Sequence, residues 1–127
     1  MDWNFRNDLP IYFQLVEQIK LGIVSGEFSP GQRLASVRDM AMEAGVNPNT
    51  MQRALSELER EGLVFSQRTS GRFVTEDSTV ITNVKKAFAA ERIQGFLEAM
   101  KKLGYSRQEI IALLEEKEEE NNADPGM

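Results

Sequence analysis

Neither cysteine nor histidine occurs in the 127 residues. The missing thiol excludes disulfides and thiolate metal sites, and it fits a cytoplasmic setting. The missing imidazole removes the commonest general base and the commonest transition-metal ligand together. No metal or cofactor is therefore expected, and an enzyme would have to work with carboxylates and lysines. No apolar run approaches the ~20 residues that a bilayer crossing needs. The opening Met1-Asp-Trp-Asn-Phe-Arg6 also lacks the basic-then-apolar order of a secretory signal. No membrane partner is expected, and there is no internal repeat. With 41% hydrophobic and 28% charged residues, the composition predicts one globular domain with an appendage.

The net charge of −5 argues at first against a nucleic-acid partner, but its distribution reverses that reading. Residues 109–127 hold seven acids and one base, a net of −6. Residues 77–108 carry +3, which leaves only −2 for residues 1–76. The acidity belongs to the tail, and local charge governs steering toward phosphate.

The stretch Asn47-Pro-Asn-Thr-Met-Gln-Arg-Ala-Leu55 organises the rest. Asn47 is a good N-cap, and Pro48 suits the first helical position, where its missing N–H costs nothing. Met51, Ala54, Leu55 and Leu58 then recur at helical spacing, with Asn49, Thr50, Gln52, Arg53, Ser56 and Arg60 opposite. Ahead of it, Asp8 is expected to cap a helix with Pro10 in its first turn and Ile11, Leu15, Ile19 and Ile23 along one side. Trp3 and Phe5 suggest a short extended arm before that. Glu27 to Gln32 reads as a turn segment. Ser36-Val-Arg-Asp39 opens a second helix as a variant capping box, and Gly45 stops it. So short a link between two helices fits a helix-turn-helix. Gly62 ends the third helix near Glu61. Leu63–Gln67 and Arg72–Thr75 then read as strands around a small, basic tip.

After Glu76-Asp-Ser78 the pattern changes. A long helix is expected from about Thr79 to Leu103, broken by Gly104. Ser106-Arg-Gln-Glu109 is a capping box that opens a last helix.

Five arginines, Arg33, Arg38, Arg53, Arg68 and Arg72, fall in or beside this reading head. Each taken alone reads as a solvated or salt-bridged surface residue. On one predicted surface they favour DNA. Arg38, beside Ser36 in a helix first turn, suits a phosphate. Arg53 suits a phosphate or a guanine, and Asn49 and Thr50 suit phosphates or base edges. Arg68, Thr69, Ser70, Gly71 and Arg72 form a tip fitted to the minor groove or the backbone. Glu57, Glu59 and Glu61 alternate around a helix and do not converge, and Glu115 to Glu120 read as a solvated helix end.

Pro10-Ile-Tyr-Phe-Gln14, Gly26-Glu-Phe-Ser-Pro-Gly-Gln-Arg-Leu34, Ser36-Val-Arg-Asp-Met-Ala41 and Val46-Asn-Pro-Asn-Thr-Met-Gln-Arg-Ala-Leu55 resemble GntR-superfamily transcriptional regulators. Leu58-Glu-Arg-Glu-Gly-Leu-Val64 and Gly71-Arg-Phe-Val74 continue the resemblance, which covers about residues 9–76. Asn47-Pro-Asn-Thr50 and the short helical tail are similar to the YtrA-like subgroup. The resemblance implies a bacterial winged helix-turn-helix homodimer, usually a repressor on a palindromic operator and often of an ABC-transporter operon. It implies DNA contact by Ser36 and Arg38, by Asn47, Asn49, Thr50, Gln52 and Arg53 of the recognition helix, and by Gly71 and its neighbours in the wing. Three positions depart from the family pattern. Ala35 replaces a usual proline, Pro48 stands where many relatives have a base, and Thr69 stands where the wing usually has a second glycine.

The expected fold is mainly α with a small β-hairpin wing: an N-terminal winged helix-turn-helix over residues 1–77, then a two-helix C-terminal dimerisation tail over 78–120. Residues 121–127 are expected to be disordered. Val84, Phe88, Phe96, Leu97, Met100, Leu103, Ile110, Leu113 and Leu114 are the expected dimerisation residues, because the tail holds more apolar surface than an isolated hairpin can bury. A two-fold dimer would set two reading helices about one DNA turn, ~34 Å, or a multiple of it apart. A small-molecule effector, with no private cavity to occupy, would sit between subunits or between domain and tail. The alternative reading is a winged-helix protein–protein interaction module, with a carboxylate enzyme a distant third.

Overall fold

In the computed structural model, which describes residues 1–123, the chain runs α1 (Ile11–Val24), α2 (Val37–Ala44), α3 (Pro48–Arg60), β1 (Val64–Gln67), β2 (Gly71–Val74), α4 (Ser78–Lys102) and α5 (Arg107–Ala123). Two compact units result, Met1–Lys86 and the chain from Ala87 onward. No helix among the described residues is long and apolar enough to cross a membrane.

The first unit is built around α3, which packs against α1, α2 and β1. The Asn47 side chain accepts the Asn49 N–H at 2.7 Å, and Pro48 takes the first helical position. Met51, Ala54, Leu55 and Leu58 are wholly buried against Leu15, Ile19 and Ile23 of α1 and Met40 and Ala41 of α2. The predicted stripe is the buried one. Ser36 caps α2 by accepting the Asp39 N–H at 3.1 Å, with an extended backbone of φ −62° and ψ 158°. Ala35 therefore leaves the cap intact. Gly45 closes α2 in the left-handed region at φ 72°, which permits the short turn into α3.

The hairpin pairs Val64 with Val74, Phe65 with Phe73, Ser66 with Arg72 and Gln67 with Gly71. A single β-bridge joins the segment before α2 to it. Arg33 bridges Phe73, with the Leu34 N–H donating to the Arg72 carbonyl and the Val74 N–H to the Gln32 carbonyl, both at 2.9 Å. Residues just past the expected turn thus widen the wing. No non-glycine residue has a positive φ among the described residues, so Thr69 fits its loop unstrained, and Gly71, at φ 101°, supplies the left-handed position.

Three boundaries differ from the sequence reading. Asp8 does not cap α1. Pro10 occupies the cap position with no side-chain bond, and Asp8 pairs with Arg6 instead. A proline biases the preceding residue toward an extended backbone, which keeps Asp8 out of reach of the helix start. The first unit extends past residue 77 to Lys86, because Val80, Ile81 and Val84 of α4 pack against its core. Finally, α5 continues through Asn121 to Ala123, since neither glycine nor proline interrupts it before Pro125. The rest of the expected disordered tail, residues 124–127, lies outside the described residues.

In the second unit, Gly104 breaks the chain at φ 94° and the capping box forms in full. The Ser106 N–H donates to Glu109 at 2.9 Å and the Glu109 N–H to the Ser106 hydroxyl at 3.2 Å. Those bonds hold the Glu109 carboxyl below its usual range.

The N-terminal arm is fastened by two side-chain amides one helical turn apart on α1. Buried Gln14 accepts the Arg6 N–H at 2.7 Å and donates to the carbonyls of Arg6 (2.9 Å) and Leu9 (2.8 Å). Gln18 makes the equivalent pair with Asn4, at 3.3 and 2.7 Å. The amides act as a partner strand would, and they lay Trp3 and Phe5, stacked at 6.2 Å, against the core. Gln14→Ala is expected to lower the unfolding free energy by about 1–3 kcal/mol. It should also shift the emission of Trp3, the sole tryptophan, toward that of a solvated indole before global unfolding. A urea titration followed by fluorescence and circular dichroism checks both.

Candidate nucleic-acid interface

The start of α2 and the wing face each other across an open groove of about 470 Å³. Arg33, Ser36, Arg68, Thr69, Gly71 and Arg72 all line it. Two of these lie more than thirty residues before the others in the chain, and the Arg33–Phe73 bridge helps to bring them together. The Arg33 guanidinium lies along Gly71, where a Cβ would approach its Nε to 3.3 Å. Glycine here serves both the backbone turn and the close approach of an arginine. Arg38, Asn47, Asn49, Thr50, Gln52, Arg53 and Ser70 do not line this groove. Asn49, Gln52 and Arg53 lie exposed on α3, Thr50 is half-buried, and Arg38 is exposed in the first turn of α2. The Asn47 oxygen is engaged in capping, and Gln52 donates to Ser56 at 3.2 Å.

Four of the five arginines, Arg33, Arg38, Arg53 and Arg68, form no ion pair among the described residues. Arg72 differs. Its Nε donates to Glu59 at 2.7 Å, so it braces the wing against α3. Ser66 of β1 donates to the same carboxylate oxygen at 2.5 Å. Burial raises the Glu59 carboxyl, but the bonds from Ser66 and Arg72 outweigh it and hold the group below its ordinary value.

The remaining acid of α3, Glu57, and the acid at its C-cap, Glu61, are also occupied. Arg60 binds both oxygens of Glu57 and lowers its carboxyl, while the same contact raises the guanidinium. Glu61 accepts from Lys20 of α1 at 2.7 Å. Three carboxylates that the sequence places around one helix thus meet three different cations. None of these pairs includes Arg53, one helical turn before Glu57. It stacks instead on the ring of Tyr12, with its Cζ 4.5 Å from the centroid. The sequence reading did not single out Tyr12, Arg60 as partner of Glu57, or the Glu59 clamp. The i,i+3 spacing of Glu57 and Arg60 was the one local signal; the others join residues far apart in the chain. No group of acids able to hold a metal ion occurs among the described residues.

An exposed helix with amides and a guanidinium at its N-terminal half, flanked by cationic donors on a helix start and a hairpin, suits the grooves and backbone of duplex DNA. Known proteins carry the same architecture. The profile of the bacterial regulatory proteins of the gntR family matches residues 11–74. The HTH-type transcriptional regulator YhcF of Bacillus subtilis is 40% identical over 111 residues, 87% of this chain and 92% of its own. The HTH-type transcriptional repressor YtrA of the same organism is 36% identical over 90 residues, 70% of this chain and 69% of its own. A GntR family transcriptional regulator from Listeria monocytogenes superposes with a TM-score of 0.82 at 37% identity, covering 88% of this chain and 98% of that one. The DNA-binding domain of AraR in complex with operator ORX1 superposes at 0.54 with 28% identity, over 59% of this chain and 96% of that one.

The Glu59 clamp carries a pH signature. A carboxyl held low in the folded state and ordinary in the unfolded state stabilises the fold fully above its ordinary value of 4.5. That stability is lost as pH falls through the folded value. Stability measured by chemical denaturation should therefore fall as pH drops below about 5. In Glu59→Gln the fall should be shallower, because one of the lowered carboxyls is gone.

Proposed function

The chain belongs to the GntR family of bacterial regulatory proteins, DNA-binding transcriptional regulators rather than enzymes, and from that premise we propose that it binds a palindromic operator as a homodimer and represses the adjoining genes. The observation that carries this reading is the asymmetry of charge on the first unit. Arg33, Arg38, Arg53 and Arg68 are left unpaired among the described residues, while the acids of α3 are each tied to another cation. A net charge of −5 for the chain is thus compatible with a locally cationic reading surface.

The second unit supports the homodimer. Ile110 is buried, yet Ile93, Phe96, Leu103, Ile111, Leu113 and Leu114 stay exposed, and Phe88, Leu97 and Met100 are only half-buried. That much apolar surface on two helices calls for a partner, and a second copy related by a two-fold axis covers the same patch on both chains. Val84 contributes less to this reading, since it packs on the core of the first unit. The repressor role follows the YtrA relative, and the subgroup resemblance favours an ABC-transporter operon as the target. The setting we favour is the cytoplasm. A small effector would act at the subunit interface by changing the spacing of the two heads.

Two variants test the proposal on a duplex that the wild type prefers. Arg53→Ala should weaken binding by about 1–3 kcal/mol if the guanidinium meets a base, with little loss on unrelated DNA. A phosphate contact predicts instead an equal loss on all duplexes and a shallower salt dependence. Phe96→Glu should halve the mass seen by sedimentation equilibrium and abolish tight binding at the same chain concentration. A wild-type chain that sediments as a monomer and still binds tightly would overturn the dimer.

A further inference from the structure

We propose that Tyr12 of α1 is a positioning residue for DNA reading, its ring holding the Arg53 guanidinium flat so that the in-plane N–H donors face the duplex. The inference rests on Arg53 being a DNA contact, as read above. Its basis is the Tyr12–Arg53 stack at 4.5 Å, which joins α1 to the outer face of α3.

The geometry suits the task. A stack on an aromatic ring engages the face of a guanidinium and leaves its five donors, which lie in the plane, free for a base edge or a phosphate. An ion pair does the reverse, because it occupies the edge. Arg53 meets no such competitor: Glu57, at the i+4 position that would ordinarily pair with it, is held at both oxygens by Arg60. The ring itself is fixed. Tyr12 is half-buried, packs against the core of the first unit, and meets Phe13 edge-on at 5.4 Å and 66°. A long side chain that must be ordered to bind is thus ordered in advance, which removes part of the entropic cost at the moment of binding.

The test is a double-mutant cycle in the full chain, on a duplex selected by the wild type, with the thermal stability of each variant measured alongside. Tyr12→Leu should weaken binding about two- to fivefold, in line with an exposed cation–π contact. Tyr12→Phe keeps the ring and should bind as the wild type does. Tyr12→Leu combined with Arg53→Ala should bind no more weakly than Arg53→Ala alone. Full additivity in the cycle would overturn the proposal, and so would a Tyr12→Phe loss equal to that of Tyr12→Leu, which would point to the hydroxyl. No loss in Arg53→Ala would instead remove the reading of Arg53 on which the proposal rests. Nuclear magnetic relaxation of the arginine Nε–H groups supplies a check on the free wild type that needs no variant. Arg53 should be more rigid than Arg68 of the wing tip, and equal mobility of the two would overturn the stack as an ordering device.

Discussion

Burial of the apolar stripe of α3 is the constraint from which the rest follows. Met51, Ala54, Leu55 and Leu58 lose all contact with solvent, and each large side chain contributes roughly 1.5–3 kcal/mol through that burial. Once they are packed against α1 and α2, the rotation of α3 about its axis is settled. Asn49, Gln52 and Arg53 are then outside, near the helix N-terminus, because they occupy the opposite face. The reading surface is in this sense the complement of the core. The left-handed turn at Gly45 and the caps at Ser36 and Asn47 fix where α2 and α3 begin and end, and so which side chains reach outward.

Electrostatics complete what packing begins. Glu57, Glu59 and Glu61 are each held by a cation other than the four arginines of the proposed reading surface. Arg72 and Ser66 take Glu59 and in doing so brace the wing, Lys20 takes Glu61 across the α1–α3 contact, and Arg60 takes Glu57. The Arg60–Glu57 pair is exposed, and such a pair adds little to stability, while the other two are part-buried. The consequence of all three is distributional, since Arg33, Arg38, Arg53 and Arg68 are left without an ion-pair partner among the described residues. In sequence, the tail holds most of the excess acid.

Much of this was legible in the sequence, for reasons that can be stated residue by residue. Local rules placed α3 to within one residue, because Asn47-Pro48 marks its start, Gly62 its end, and the 3.6-residue period its buried side. The capping boxes at Ser36 and Ser106 and the stop at Gly104 were equally local. What was not legible depends on contacts distant in the chain. The β-bridge at Arg33 needs a backbone partner forty residues on, and neither residue type nor period announces it. The assignment of Arg72 to the wing tip failed to foresee Glu59 for the same reason. The placement of the domain boundary at residue 77 followed a change in composition, whereas Val80, Ile81 and Val84 carry the first core into α4. Tyr12 was visible within the Pro10-Ile-Tyr-Phe-Gln14 motif, but its neighbour Arg53 is supplied by packing alone.

The proposed function of this surface is to read a specific, two-fold symmetric DNA sequence through arginines that lack an ion-pair partner among the described residues. Its most direct test is selection of bound duplexes from a random pool by the purified protein at two salt concentrations. The account predicts recovery of a palindrome, with affinity falling steeply as salt rises because phosphate contacts release counterions. Recovery of no motif, with weak binding at both salts, would contradict it.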